Sequence, residues 1–370
     1  MLETPHEAPL HAEVAAVDLD VRERPAGETY ARARVAAESV SRWRTERLFA
    51  KIDSTLRGEL GAFIGGVLMG SSLRGALVAP AFPEQGRLLV GGRLRLDGGS
   101  GETDAPGLPD LLAASGLRAA AVELAVARSG GERLQREVLR LLNSGADAIV
   151  LDADSPACLE HVAELWWRGA DSLLLAGSAG IARRVAALRG RESEGVGELA
   201  SGREEGWGDD CSASALVVAG TPASATLRQL EELARLPNAM TLNVRRGSPM
   251  PDALTVPETS MLVLRAAPPE PVGMPMRDRG ECAEAVADAC ARLARKYRPR
   301  GVVLTGGQTA RLVCERLGVQ AVRVTGELAP GVPHGVLTGG VWDGVAVVTK
   351  AGGFGGPTQL LDAIRWLGVA

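Results

Sequence analysis

The sequence predicts two α/β domains, each a largely parallel sheet flanked by helices. Three observations lead there. The 370 residues exceed what one hydrophobic core usually spans. Short apolar runs alternate with longer segments of helical period, the pattern of βα units. Residues 189–210, "RGRESEGVGELASGREEGWGDD", are polar and glycine-rich, and the alternation breaks there. The expected division is an N-terminal domain over 1–188, a linker or long loop over 189–212, and a C-terminal domain over 213–370.

In the first half the apolar runs predict strands at Glu13–Val17, Arg47–Ile52, Gly75–Val78, Ala119–Glu123, Ala148–Asp152 and Ser172–Leu175. Helical period predicts helices at Glu28–Trp43, Gly61–Gly70, Gly131–Asn143 and Ser155–Arg168. The second half resumes with strands at Ala215–Ala219, Met240–Leu242, Met261–Leu264, Gly301–Leu304, Ala321–Val324 and Val345–Thr349. The first ten residues carry no pattern, so the chain is expected to begin partway into its first domain.

Composition narrows the function classes. Apolar residues make up 46 % and charged residues 23 %, the balance of an ordinary folded chain. A net charge of −4, with no basic block clear of acidic neighbours, argues against a nucleic-acid surface. Cys158, Cys211, Cys282, Cys290 and Cys314 are odd in number and scattered, so reduced thiols are expected rather than disulfides or a zinc site. His6, His11, His161 and His334 lie too far apart in sequence to suggest a metal cluster. No apolar run approaches the roughly 18–20 residues of a membrane span, and no signal-peptide pattern opens the chain. A cytoplasmic location is expected, with neither membrane nor nucleic acid among the partners. Of the 41 basic residues only Lys51, Lys296 and Lys350 are lysines, and two of these three lie in the most unusual motifs. A compact ammonium does a different job from a planar guanidinium beside a phosphate or carboxylate.

Four stretches could carry chemistry. "FAKIDSTLRGELG", 49–61, crowds a lysine, an aspartate, two hydroxyls and an arginine behind a predicted strand. Ligands bind at the carboxyl ends of strands in open α/β sheets. There Arg57 could grip a carboxylate while Asp53 accepts from hydroxyls, a set suited to a small polyhydroxy acid. The bland alternative is a helix cap and an internal ion network. "VAPAFPEQGRLLVGG", 78–92, is a rigid loop with directed polar groups, and alone it fits a plain structural loop as well. "VVLTGGQTARLV", 302–313, runs from strand through two glycines into a helix, where backbone N–H groups could approach a phosphate. "VVTKAGGFGGPTQLL", 347–361, brackets Phe354 with four glycines beside Lys350, and a nucleotide could lie against that backbone. A flexible turn is the alternative. "LVVAGTPASATLRQL", 216–230, and "LLLAGSAGIARR", 173–184, show the same strand–turn–helix form and could be only capped βα turns. Neither a Walker A loop nor a strand-linked GxGxxG is present, which speaks against a nicotinamide oxidoreductase.

Taken together these stretches resemble the four-carbon acid sugar kinase family, whose members carry K-x-D-S-T-L-R-G, APAFP-x-x-G-R with VGG, GSAG, GG-D-T and K-x-GGFG motifs. Here they stand in that order at Lys51–Gly58, Ala79–Arg87 with Val90–Gly92, Gly177–Gly180, Gly306–Thr309 and Lys350–Gly355. The resemblance covers nearly the whole chain. It implies an acid-sugar-binding N-terminal domain, an ATP-binding C-terminal domain and an active-site cleft between them, with transfer of the γ-phosphoryl group to the terminal hydroxyl of threonate, erythronate or a 3-oxo relative. It also implies roles. Lys51, Asp53 and Arg57 would be catalytic, and Ser54, Thr55, Gln85, Gly86 and Arg87 would bind the acid. Thr221, Thr226, Gly306, Gly307, Gln308, Thr309, Lys350, Gly352, Gly353 and Gly355 would bind ATP with Mg²⁺, without protein metal ligands. Three departures stand out. The family's opening D-D-L-T-G motif has no counterpart, Gln308 replaces the aspartate of GG-D-T, and Gly220-Thr221 replaces a Gly-Ser. Phosphoryl transfer depends on positioning and charge neutralisation, so these losses should damage catalysis more than binding. A catalytically impaired binding protein is therefore the alternative. An exposed edge on the first sheet makes self-association an expectation as well.

Overall fold

The computed structural model describes residues 13–43, 47–96, 106–169, 172–193, 212–245, 261–267 and 279–369. The chain divides into two compact units, Met1–Ser201 and Gly202–Ala370.

The first unit runs α1 (Ala26–Ser41), β1 (Phe49–Lys51), α2 (Leu60–Gly70), β2 (Gly75–Ala79), β3 (Arg87–Val90), β4 (Arg93–Leu96), α3 (Leu108–Ala113), β5 (Ala119–Val122), α4 (Leu124–Ser129), α5 (Gly131–Asn143), β6 (Ala148–Leu151), α6 (Pro156–Gly169), β7 (Leu173–Gly177) and α7 (Ala179–Ser193). Five strands form one parallel sheet in the order β1-β7-β2-β6-β5. β2, β6 and β7 are buried at every position, which explains their unbroken apolar runs: helices cover both faces. β3 and β4 form a separate antiparallel hairpin that the sequence reading does not anticipate. Its turn, Gly91-Gly92, has positive φ at both residues, as a two-residue hairpin requires.

Helices α1 and α2 pack closely enough that α2 tolerates no side chain at two glycines. A Cβ on Gly66 would lie 2.5 Å from the Tyr30 carbonyl oxygen, and one on Gly70 would strike the Arg34 carbonyl. Gly66→Ala is expected to lose about 1–3 kcal/mol in urea unfolding, the usual range for overpacking a fitted interface. Unchanged stability would show that the helices can part without cost.

Two expectations are corrected here. Glu13–Val17 is not a strand, and Val14 is 74 % exposed. A strand exists only by pairing, and this segment has no ladder partner among the described residues. The expected linker begins too early: α7 carries the chain on to Ser193, so 189–193 are helical. Residues 194–211 lie outside the described residues.

The second unit runs β8 (Ser212–Ala219), α8 (Ser224–Leu233), β9 (Ala239–Val244), β10 (Met261–Ala266), α9 (Arg279–Ala294), β11 (Pro299–Thr305), α10 (Gly307–Arg316), β12 (Ala321–Ala329), β13 (Val332–Thr338), β14 (Ala346–Lys350) and α11 (Gln359–Trp366). Its sheet has the order β12-β13-β14-β11-β8-β10-β9. The five strands from β14 to β9 are parallel, and β12 and β13 add an antiparallel margin. Buried residues of α9 and α10 pack on one face of the sheet, and those of α8 and α11 on the other. After β8 the chain first fills the β9–β10 side and then crosses to β11. That reversal makes the carboxyl end of β8 the topological switch point, where ligands of open α/β sheets bind. No helix among the described residues is long and apolar enough to cross a membrane.

Candidate functional site

In the first unit the opening motif lies where β1 ends. Ile52 N–H donates to the Gly177 carbonyl at 2.8 Å, extending the pairing with β7 one residue past the strand. Asp53 then closes a side-chain turn. Its Oδ1 accepts from Thr55 N–H at 2.8 Å and from the Thr55 hydroxyl at 2.6 Å, while Arg57 donates to Oδ2 at 2.9 Å. Leu56 is held at φ 59°, a left-handed conformation that a branched side chain adopts only under constraint. Burial alone would raise the Asp53 pKa. The Thr55 hydroxyl and N–H and the Arg57 guanidinium overcome it and hold the carboxyl at about 2. Asp53 is thus a fixed anion and acceptor at neutral pH. Lys51 donates to the Ile52 carbonyl at 2.9 Å; partial desolvation lowers its pKa, with Asp53 opposing the shift and Arg22 adding to it.

Arg22, absent from the sequence-based set, stands 3.7 Å from the same Asp53 oxygen. Its exposure and that of Arg57 exceed half, while the Asp53 side chain is 9 % exposed. One shielded carboxylate therefore anchors a patch of three cations with a net positive charge. Gly58, at φ 91°, keeps this segment close: a Cβ there would lie 3.1 Å from the Arg22 carbonyl. The signal for Arg22 was the charge-dense "DLDVRERP" before α1, which periodicity alone does not connect to β1.

The second loop reaches the same place. Arg87 donates to the Ser54 hydroxyl at 2.7 Å, joining two motifs 33 residues apart. Gly86, at φ 65°, ends the short 3-10 turn Pro83–Gln85 and lets Arg87 pair back with Phe82. Gln85 is exposed on that turn and makes no side-chain hydrogen bond among the described residues. The GSAG turn, which could have been only a cap, braces this loop. The Ser178 hydroxyl donates to the Ala81 carbonyl at 2.8 Å, and a Cβ on Gly180 would lie 2.6 Å from that oxygen. Asp152, also outside the sequence-based set, accepts from Gly91 N–H at 2.7 Å and Gly92 N–H at 2.8 Å and so fixes the β3–β4 turn. Desolvation raises its pKa against those hydrogen bonds.

In the second unit, Ala219, Thr305 and Lys350 share one register across β8, β11 and β14. The three loops that follow must therefore converge, and they meet at Thr221. A Cβ on Gly306 would lie 3.1 Å from Thr221 Cβ, and one on Gly352 would lie 2.5 Å from its hydroxyl oxygen. Gly306 takes φ 96° and donates its N–H to the Lys350 carbonyl at 2.8 Å. Gly307 and Gln308 are exposed on the first turn of α10, where backbone N–H groups lack helical partners. Gly353 is open on its Cβ side, and Gly355 takes φ 84°.

Three of the residues expected to meet a nucleotide are buried. Thr226 and Thr309 are buried; the Thr226 hydroxyl bonds the Gly352 carbonyl at 2.7 Å and Thr305 at 3.1 Å. A Cβ on Gly220 would approach the Thr309 hydroxyl to 2.6 Å. Lys350 is 4 % exposed, and its ammonium donates to the carbonyls of Ala351 at 3.1 Å and Phe354 at 3.0 Å and to Thr226 at 3.2 Å. The loop's own carbonyls occupy this ammonium. Burial pushes its pKa down to about 8. Among the described residues no cluster of three His, Cys, Asp or Glu side chains could hold a metal ion. The loops around Thr221 supply N–H groups and a hydroxyl, which suit phosphate oxygens.

Family models account for both units. Residues 2–185 match a sugar-binding N-terminal domain and residues 216–360 a nucleotide-binding C-terminal domain. A D-threonate kinase of Cupriavidus necator is 30 % identical, over 95 % of this chain and 87 % of that protein. The chain belongs to the four-carbon acid sugar kinase family. Another member, a D-threonate kinase of Bordetella bronchiseptica, is 31 % identical over 96 % of this chain and 86 % of its own. A 3-oxo-tetronate kinase of Methylobacterium radiotolerans is 28 % identical over 93 % and 87 %. A crystal structure of a Haemophilus influenzae protein shares the fold, with a TM-score of 0.73 at 21 % identity, covering 98 % of this chain and 93 % of that one.

Proposed function

We propose that the chain is an ATP-dependent kinase that phosphorylates the terminal hydroxyl of a four-carbon sugar acid. The observation that carries this reading is the cationic patch anchored on Asp53, which suits a small carboxylate, in a family of sugar-acid kinases. Arg57, Arg22 and Arg87 hold the acid's carboxylate and hydroxyls, and Asp53 keeps Arg57 and Thr55 in place. The glycine loops around Thr221 hold the phosphates through backbone N–H groups. The terminal hydroxyl oxygen attacks the γ-phosphorus, the bond to the β-phosphate oxygen breaks, ADP leaves, and the hydroxyl proton passes to solvent. Asp53 at a pKa of about 2 does not retain that proton at neutral pH. Mg²⁺ would enter as a phosphate-bound ion that keeps its waters, since no cluster of three His, Cys, Asp or Glu side chains among the described residues could hold it.

The experiment is ADP release measured against D-threonate, D-erythronate and a 3-oxo-tetronate. Release with at least one acid, and none with a neutral tetritol, is expected; no release with any acid overturns the reading. A binding protein with weak catalysis is the second reading, favoured by the exposed amide of Gln308 where the motif has a carboxylate. It predicts ADP binding without transfer. Arg57→Ala is expected to raise KM for the acid about 10- to 150-fold, the worth of one charge-assisted hydrogen bond, with ADP affinity unchanged. Calorimetric titration of the variant with ADP and steady-state kinetics in the acid check both halves.

A further inference from the structure

Gln229 lies in α8, is 1 % exposed, and has an amide with two unequal ends. Its Nε2 donates to three carbonyls of the glycine loop, Phe354 at 3.1 Å, Gly355 at 3.2 Å and Gly356 at 2.7 Å. Its Oε1 is buried without any hydrogen-bond partner. Rotating the amide would set Oε1 against three carbonyl oxygens, so the orientation is fixed by the acceptors. A buried acceptor left unpaired costs stability. The amide is there for its donors.

Those donors complete a set. Lys350 holds the carbonyls of Ala351 and Phe354, and Thr226 holds that of Gly352. Five carbonyls of one loop thus face inward. In a trans peptide the C=O of one residue and the N–H of the next point in opposite directions. The N–H groups of Gly352, Gly353, Gly355 and Gly356 therefore face outward. None of the four has a hydrogen-bond partner among the described residues. A fifth outward N–H would belong to residue 357, which is proline and has none. Outward N–H groups in succession make a seat for an anion.

We infer that Gln229 is a positioning residue: by drawing the carbonyls of Phe354, Gly355 and Gly356 inward, it aims the glycine N–H groups at the nucleotide's phosphates. The inference rests on the kinase reading for the identity of the anion. It goes beyond that reading in assigning a buried amide to nucleotide affinity alone.

Gln229→Met keeps the length, removes the donors and removes the unpaired oxygen, so the fold is expected to survive. The probes are ADP and inorganic tripolyphosphate, titrated by calorimetry into the full chain. Wild type binds both, and in Gln229→Met both affinities fall at least 10-fold. KM for ATP rises by the same factor while KM for the acid stays within twofold, a split that general loosening would not give. Gln229→Glu, which turns acceptors toward the three carbonyls, weakens ADP binding further. Gln229→Met and Gln229→Glu variants that melt like wild type and bind ADP as wild type does overturn the inference and leave the kinase reading standing. A wild-type chain that binds tripolyphosphate but transfers no phosphoryl group sinks the kinase reading and leaves the anion seat. Binding of neither probe by wild type overturns both.

Discussion

Lys350→Met is expected to weaken ADP binding by about 10²- to 10⁴-fold. The ammonium makes no contact that exposes it to a ligand; it acts by holding the carbonyls of Ala351 and Phe354 and the Thr226 hydroxyl. Without it the Ala351 carbonyl keeps only the Phe354 N–H and the Phe354 carbonyl only the Gln229 amide, so the loop loses the cation that gathers its carbonyls and must turn some of them outward. Each outward N–H lost from a phosphate removes a charge-assisted hydrogen bond worth about 1.5–3 kcal/mol, and losing two gives the stated range. The same residue sets a pH dependence. Its pKa is depressed to about 8, against 10.5 for an ordinary lysine. Above pH 8 the folded protein holds an amine with one donor fewer, so ADP affinity is expected to fall between pH 8 and 9. Global stability should move the other way there. The unfolded chain binds more protons between about 8 and 10.5, so this group's contribution to stability rises with pH. Calorimetric titration and urea unfolding at pH 7, 8 and 9 check the two opposed trends, and parallel trends would contradict the account.

Asp53→Asn is expected to lower kcat/KM for the acid by about 10²- to 10⁴-fold while leaving ADP affinity unchanged. The carboxylate accepts from Thr55 twice and from Arg57, and an amide can satisfy only part of that set, because its NH₂ would meet donors. Arg57 is then unmoored, the Leu56 conformation loses its anchor, and the patch no longer presents a fixed shape to a carboxylate. Here too pH provides an independent check. A carboxyl held at about 2, below its ordinary 3.8, contributes stability that is fully present above pH 3.8 and lost as pH falls through 2. After allowance for solvent screening that contribution is on the order of 1–2 kcal/mol. Wild type should therefore lose stability more steeply between pH 4 and 2 than the asparagine variant, as measured by urea unfolding. Equal slopes would mean that Asp53 carries no buried network.

Much of the architecture was legible because parallel strands covered on both faces write themselves as unbroken apolar runs. β2, β6, β7, β10 and β11 were found on that signal. The β3–β4 hairpin was missed because its stability comes from Asp152, sixty residues on, receiving the N–H groups of Gly91 and Gly92. No local pattern carries that contact. The Glu13–Val17 run misled for the opposite reason: it looks like a strand, yet has no ladder partner among the described residues. At the sites, the fold joins Asp53 to Thr55 and Arg57, and Ser54 to Arg87 from the second motif. What sequence could not tell was direction. Lys350 and Thr226 stand in a nucleotide motif and are buried against the loop's own carbonyls, a set of contacts that motif order does not carry. Arg22 and Gln229 were overlooked since each acts through a contact far along the chain.

Phosphorus NMR of the chain with Mg·ATP and each tetronate tests the central claim most directly. The account predicts that the γ-phosphate resonance is lost as a phosphomonoester resonance grows, coupled to the two protons of the acid's terminal carbon, with ADP appearing in equal amount. Loss of the γ-phosphate to inorganic phosphate alone, or an unchanged ATP spectrum with every acid, would contradict it.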